Sequence, residues 1–216
     1  MRMKILITGA NRGIGAALAD TFSGRGDTVM GTARKDPAHL PLDVTDPASL
    51  AALAKRLHGQ PIDALICNAG VFLEKGQSLD DGYPADLWAQ TFAVNVTGVF
   101  LTVQSILPNL RLAQAPRIAI ISSQMASQSL APGGSYIYRA SKAAALNVGR
   151  NLACDLKPQG IAVGIYHPGW VRTDMGGTSA DIDTAEAAQG LMTRIDTLSV
   201  DTTGCFETWD GRALPY

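Results

Sequence analysis

The stretch Lys4-Ile5-Leu6-Ile7-Thr8-Gly9-Ala10-Asn11-Arg12-Gly13-Ile14-Gly15 decides the reading of the fold. Residues 4–8 form a short apolar run with the composition of a buried strand, and the run stops at a glycine. An alanine-rich pattern over about 13–23 reads as a helix. Between the two, Gly9 permits a sharp turn, Gly13 lets backbone amides approach a pyrophosphate, and Gly15 lets the helix lie close on the strand. The first turn of such a helix offers free N–H groups and the positive end of its dipole, which suits a phosphate. A glycine-rich turn without a ligand is the plainer alternative, but a strand before it and a helix after it favour a dinucleotide site. The spacing, Gly-x-x-x-Gly-x-Gly, differs from the commonest dinucleotide fingerprint.

Strand and helix patterns alternate along the rest of the chain. Strands are predicted over 27–33, 40–43, 63–67, 117–122, 161–167 and 204–208. Helices are predicted after the N-cap Asp46 with Pro47 at its first position, over 84–112 as one long element, over 136–156, and over 184–195. Residues 34–42 leave too little chain for a full crossover helix. Continuous apolar strands separated by helices indicate an α/β fold: one doubly wound domain over 1–216, with a mostly parallel seven-stranded sheet covered on both faces. In such sheets ligands bind beyond the carboxyl ends of the strands, so the residues ending each strand carry the functional weight.

The 216 residues, 46% of them hydrophobic, supply a sizeable core. A formal net charge of −1, with no basic run longer than the dipeptide Arg34-Lys35, argues against nucleic acid or an anionic membrane as partner. Cys67, Cys154 and Cys205 are far apart and in no Cys-x-x-Cys arrangement, and His39 and His58 have no ligand spacing, so neither a disulfide framework nor a metal is expected. The apolar stretch at the N-terminus is too short for a signal peptide, and no segment is expected to approach the ~18 apolar residues of a membrane span. A soluble, cytoplasmic protein is the expectation.

Tyr138 and Lys142 stand four apart on the helix over 136–156 and project from one face. An ammonium beside a phenol favours the phenolate and lowers a pKa of ~10, which predicts Tyr138 as proton donor and acceptor. A Tyr–Lys packing pair is the bland reading of these two alone. Ser122 and Ser123 end the strand over 117–122, where a hydroxyl either polarises a carbonyl oxygen or satisfies strand-end backbone groups. Asn95 places an amide between Val94 and Val96 in the long helix, which demands partners unless it faces solvent.

This set, with Cys67-Asn68-Ala69-Gly70 and Tyr138-Arg-Ala-Ser-Lys142 in that order, resembles the short-chain dehydrogenase/reductase family over nearly the whole chain. GGSYIYRASKAA, HPGWVRTDMGG and the terminal WDGRALPY look like its C-factor/sniffer-type carbonyl reductase branch. The resemblance implies a Rossmann-type domain and a catalytic set of Asn95, Ser123, Tyr138 and Lys142, with Ser122 as the fallback serine and Asn95 organising a water that leads to the lysine. It implies a cofactor site on Gly9, Asn11, Arg12, Gly13, Ile14 and Gly15, with Asp43 and Val44 at the adenine and Asn68, Ala69 and Gly70 against the adenosine half. Tyr138, Lys142, Pro168 and Gly169 also face the cofactor in this reading, and the Val171 backbone and Thr173 side chain hold the nicotinamide carboxamide.

Ala33-Arg34 ends the second strand without the carboxylate that accepts ribose hydroxyls in NAD-preferring sites. A guanidinium there suits a 2′-phosphate, and Arg12 resembles the family's second basic residue for it, so NADP(H) is expected over NAD(H). The expected activity is reversible hydride transfer with a small carbonyl or alcohol substrate, in a possible homo-oligomer. Two alternatives remain: a cofactor-binding signalling or sensor protein of C-factor type with little turnover, and an NAD-preferring alcohol dehydrogenase. Residues 173–183 are expected to form a lid, and Phe72, Trp170 and Met175 an apolar pocket or part of the core.

Overall fold

The computed structural model describes residues 2–216. Its strands are β1 (Lys4–Ile7), β2 (Thr28–Ala33), β3 (Leu40–Pro41), β4 (Ala64–Cys67), β5 (Arg117–Ile121), β6 (Ala162–His167) and β7 (Phe206–Thr208). Its helices are α1 (Gly13–Arg25), α2 (Pro47–Arg56), α3 (Ala85–Phe92), α4 (Gly98–Leu110), α5 (Tyr136–Leu156) and α6 (Thr184–Thr197). The seven strands form one sheet in the order β3-β2-β1-β4-β5-β6-β7, and every neighbouring pair is parallel. The chain leaves β1 toward β2 on one side and returns to β4 on the other, so the strand order reverses between β1 and β4. The loops that follow these two strands diverge there and open a crevice at their carboxyl ends.

Alternation along the strands sorts side chains between two cores. Leu6, Leu65, Ile118, Ile120, Val163 and Ile165 point to the side covered by α2, α4 and α5. Ile5, Ile7, Ile66, Ala119 and Tyr166 point to the other side, against Leu18 and Phe22 of α1 and Leu191 and Ile195 of α6. Burial of each large aliphatic side chain stabilises the fold by about 1.5–3 kcal/mol before entropy is counted.

Asp46 caps α2 by accepting from Ala48 N at 2.9 Å, with Pro47 at the first helical position as the sequence predicts. No helix fills 34–42, also as predicted. The single helix expected over 84–112 is broken into α3 and α4 by a π-turn at Ala93–Thr97, where Gly98 N bonds back to Ala93 O. Tertiary contacts account for the break: Asn95 in that turn bonds another segment, and Gly98 passes so near Val44 that a Cβ would come 2.8 Å from its Cγ2. The run Ala85–Leu110 is, contrary to the sequence expectation, long and apolar enough to cross a membrane by composition, with a mean hydropathy of 1.4. Val99, Val103, Ile106 and Leu110 on it are nonetheless buried in the core under the sheet.

Helix α5 approaches β6 closely at Gly149, where a Cβ would stand 2.6 Å from Ile165 Cγ1 and 3.0 Å from Ile120 Cδ1. Gly149→Val therefore pushes α5 off the sheet, and overpacking of this kind destabilises by about 1–3 kcal/mol. Urea denaturation is expected to show a lower midpoint with an unchanged slope; an unmoved midpoint would mean that α5 has slack at this position.

Candidate active site

The carboxyl ends of the strands open into a cleft of about 1070 Å³, at the upper end of the roughly 300–1,000 Å³ usual for small-molecule sites. Gly9, Asn11, Arg12, Gly13 and Ile14 line one wall, and Arg34, Asp43 and Val44 line the end beyond β2. Asn68, Ala69 and Gly70 line it after β4, Tyr138 and Lys142 from α5, and Pro168 and Thr173 after β6. Of the residues singled out from sequence, Gly15, Asn95, Ser123, Gly169 and Val171 are not part of this lining, whereas Ser122, the fallback serine, is.

The glycine turn is shaped by sterics. Gly9 and Gly13 have φ of 66° and 55°, the left-handed region that glycine enters without strain. Gly15 needs its missing side chain: a Cβ there would stand 2.1 Å from Gly9 O and 2.5 Å from Asn68 Nδ2. Arg12 occupies the N-cap of α1 with extended backbone and no side-chain cap bond, so the first amides of the helix face the cleft unclaimed by a capping side chain. The turn is tied to β4 by Thr8, whose Oγ1 accepts from the amides of both Asn68 and Ala69 at 3.0 Å. The Asn68 side chain donates to Thr8 O and Gly9 O, each at 3.0 Å. Asn68 thus uses its amide group to brace the glycine turn, while the residue itself still borders the cleft.

The four polar residues expected to work together converge. Lys142 is buried, donates from Nζ to Ile121 O at 2.9 Å, and lies 5.6 Å from the Tyr138 ring centroid. The two serines at the end of β5 have different partners. Ser122 Oγ donates to the backbone carbonyl of Lys142 at 3.2 Å, whereas the Ser123 hydroxyl accepts from Met125 N at 3.1 Å and hydrogen-bonds the Tyr138 side chain. Asn95 is buried rather than solvent-facing: its Oδ1 accepts from Val71 N, and its Nδ2 donates to Val71 O and to Ser141 Oγ. Its amide group therefore orders the segment after β4 and the middle of the Tyr138–Lys142 helical turn. Asn95 and Lys142 come together at Gly70, where a Cβ would stand 3.4 Å from Asn95 Oδ1 and 3.5 Å from Lys142 Nζ.

The electrostatics correct one expectation. Burial pushes the Tyr138 phenol up to about 12, opposed by the Ser123 hydrogen bond and reinforced by the negative charge of Glu74. Burial also lowers the Lys142 ammonium to about 8. The lysine approaches the face of the tyrosine ring, and desolvation of the phenolate outweighs its attraction, so the phenol is shifted up instead of down as the sequence suggests. His167, at the end of β6, is pushed down to about 4 by burial and is neutral at pH 7.

Beyond β6 the expected lid is compact and internally bonded. Trp170 Nε1 donates to Gly176 O at 2.8 Å, Arg172 donates to Ala180 O at 2.9 Å, and Gly176 N donates to Thr173 Oγ1 at 3.0 Å. Gly169, with φ of 91°, lets the chain pass Ile182 and Trp209 where a Cβ would clash. Asp174 of this segment pairs with Arg12 at 2.7 Å, so the segment is joined to the glycine turn. Sequence reasoning overlooked Thr8, Glu74, Ser141, Lys35 and Asp174. The position of Ser141, three after Tyr138 on one helical face, was a signal; Glu74 and Asp174 act through contacts 64 and 162 residues away in the chain and carried none.

A doubly wound parallel sheet with a glycine turn beside its switch point and a polar cluster over the crevice defines a Rossmann-type protein. The short chain dehydrogenase pattern matches residues 3–183, and the chain belongs to that family of oxidoreductases. It is 36% identical over 170 residues to C-signal of Myxococcus xanthus, an alignment covering 77% of this chain and 100% of the relative. The NADPH-bound carbonyl reductase from chicken fatty liver superposes with a TM-score of 0.91 at 29% identity, covering 100% of both chains. The carbonyl reductase Sniffer of D. melanogaster superposes with a TM-score of 0.93 at 27% identity, again over 100% of both.

The buried lysine makes stability depend on pH. Its folded pKa of about 8 lies below the ordinary lysine value of 10.5, so between these limits the unfolded chain holds a proton that the folded one has released. Lys142 therefore makes stability rise with pH across that window, by on the order of 3 kcal/mol in full. Denaturation of wild type and Lys142→Met in parallel isolates this contribution from other groups. The stability difference, variant minus wild type, is expected to shrink between pH 8 and 10; a constant difference would place the ammonium in contact with solvent.

Proposed function

We propose that this protein is an NADPH-dependent carbonyl reductase of the short chain dehydrogenase family. The observation that carries the proposal is the convergence of Tyr138 and Lys142 on the cleft, with Nζ 5.6 Å from the centroid of the phenol ring and Ser123 beside the phenol at the end of β5. The NADPH-bound state of the chicken carbonyl reductase supports the choice of cofactor.

The residues present fit such a cofactor. Gly9 and Gly13 shape a backbone cradle that side chains would fill, and the uncapped amides of α1 offer donors to the pyrophosphate. Arg34 and Lys35 border the cleft beyond β2 together with Asp36 and Asp43, and Ala33 puts no carboxylate at the end of the strand itself. Arg12 is held by Asp174, an exposed pair of about 0–1 kcal/mol that a doubly charged phosphate readily displaces. Bound NADPH supplies the hydride. Ser123 then donates to the carbonyl oxygen and polarises it, Tyr138 gives that oxygen its phenolic proton, and the Lys142 ammonium stabilises the phenolate left behind. Asn95 acts through Val71 and Ser141, fixing the wall and the helical turn from which Tyr138 and Lys142 project. Phe72, whose ring lies 4.6 Å from that of Tyr138, and the exposed Leu73 and Met175 give the substrate an apolar approach. The likeness to C-signal favours a signalling role as the second reading, and measurable turnover separates the two.

A panel of aldehydes and ketones is expected to support NADPH oxidation. Tyr138→Phe should lower that turnover by about 10²–10⁴-fold while leaving NADPH binding intact. Ser123→Ala should cripple it and Ser122→Ala should not. A Tyr138→Phe enzyme with near-normal turnover would remove the phenol from the mechanism, and a dead Ser122→Ala enzyme would move the hydroxyl by one residue.

Cofactor preference provides a separate check by fluorescence titration. Hydrogen bonds to charged groups contribute about 1.5–3 kcal/mol, and screening at an exposed arginine reduces this, so Arg34→Ala should weaken NADPH roughly tenfold and leave NADH almost unaffected. Equal or tighter binding of NADH by the wild type contradicts the assignment. Preference for NADPH retained in Arg34→Ala would transfer the role to Arg12 or Lys35.

A further inference from the structure

Glu74 is a buried carboxylate outside the cleft lining, only 2% exposed, in the segment between β4 and α3. Its Oε1 accepts from the backbone N–H of Tyr138 at 2.6 Å, and its Oε2 has no partner among the described residues. The contact replaces a local cap. Ser135 precedes α5 in the left-handed region, with φ of 47° and no side-chain cap bond, and Gly133 and Gly134 before it also have positive φ. The free amide of Tyr138 in the first turn thus finds its acceptor 64 residues away in the chain. A helix N-terminus favours an anion at that place. The segment carrying Glu74 is anchored twice more, by the bonds of Val71 to Asn95 and by the Phe72 ring against Tyr138. The carboxylate is therefore fixed relative to the phenol.

We propose that Glu74 is a positioning residue that keeps Tyr138 loaded with its proton and so sets the pH range over which each direction of the reaction runs. This rests on the reading of Tyr138 as the proton donor. In reduction a hydride forms the new C–H bond, the C=O electron pair moves to oxygen, and the phenolic O–H breaks to protonate that oxygen, leaving a phenolate. Oxidation runs the same steps backward and starts from the phenolate. Tyr138 is faced by the Lys142 ammonium from α5, by the Ser123 hydroxyl after β5 and by Glu74; His167, at the end of β6, is neutral at pH 7. Glu74 is the negative group among these. Its charge opposes the phenolate, reinforcing the burial that already holds the phenol protonated. Reduction is thereby sustained to higher pH, and oxidation is displaced to more alkaline conditions.

The experiment compares kcat/KM against pH, in both directions, for wild type, Glu74→Gln, Glu74→Asp and Tyr138→Phe with one accepted carbonyl/alcohol pair. Glu74→Gln keeps an acceptor for the Tyr138 amide and removes the charge, so the alkaline limb of reduction and the rising limb of oxidation are both expected to move toward acid by about one pH unit. Glu74→Asp draws the charge back by one methylene and is expected to give a smaller shift of the same sign. It also serves as the deciding variant should Glu74→Gln fail to fold. Limbs that stay at the wild-type position, even with a lowered melting temperature, would reduce Glu74 to a helix cap and overturn the proposal. If Tyr138→Phe is inactive while the Glu74 variants are unshifted, the inference alone falls; if Tyr138→Phe remains active, the reading beneath it falls as well.

Discussion

Helix α1 rests on the ends of β1 and β4 only because residue 15 has no side chain, since a Cβ there would meet Gly9 O at 2.1 Å. Much of the site follows from that approach. It brings the first amides of α1 to the mouth of the crevice, where no side chain caps them. It places Gly9 O within reach of the Asn68 amide, which bonds it and Thr8 O together, so that the turn after β1 and the segment after β4 become one braced unit. The Thr8 hydroxyl completes the unit from below. The segment beyond Asn68 then continues through Gly70, Val71, Phe72 and Glu74, each touching a member of the polar cluster or its support. Packing at a glycine is in this way connected, through backbone and a few side-chain bonds, to the position of Tyr138.

The parts of this arrangement that were legible in the sequence are those encoded by local chemistry. Gly9, Gly13 and Gly15 announce a tight turn and a close helix, Asp46-Pro47 announces a helix start, and uninterrupted apolar runs announce buried parallel strands. Tyr138 and Lys142 were legible because four residues on a helix place two side chains on one face. What escaped depends on contacts that no local pattern records. The π-turn at Ala93–Thr97 has the composition of ordinary helix, and it is the bonding of Asn95 to Val71 and the approach of Gly98 to Val44 that accompany the break. Ser122 and Ser123 are equivalent as letters and are separated only by their surroundings: Ser122 lines the cleft and bonds Lys142 O, while Ser123 accepts from Met125 N. Glu74 sits in a loop of mixed composition, where a single carboxylate normally reads as solvated surface.

The same distinction explains why the sequence argument had the phenol shifted in the opposite direction. A lysine four residues from a tyrosine suggests attraction between ammonium and phenolate, and in water that suggestion is the natural one. In the folded protein both groups are desolvated together, and burial opposes the charged form of each, lowering the lysine and raising the tyrosine. Attraction prevails only where the two charges lie close enough to offset both penalties. Here Nζ faces the ring at 5.6 Å from its centroid and spends a hydrogen bond on Ile121 O, while the phenol end of Tyr138 is engaged by the neutral Ser123 hydroxyl. Desolvation therefore wins, and the carboxylate of Glu74 reinforces it. Burial thus favours the proton on the tyrosine, with the lysine beside it, and the proposed mechanism draws on that arrangement to protonate a carbonyl oxygen as negative charge develops on it.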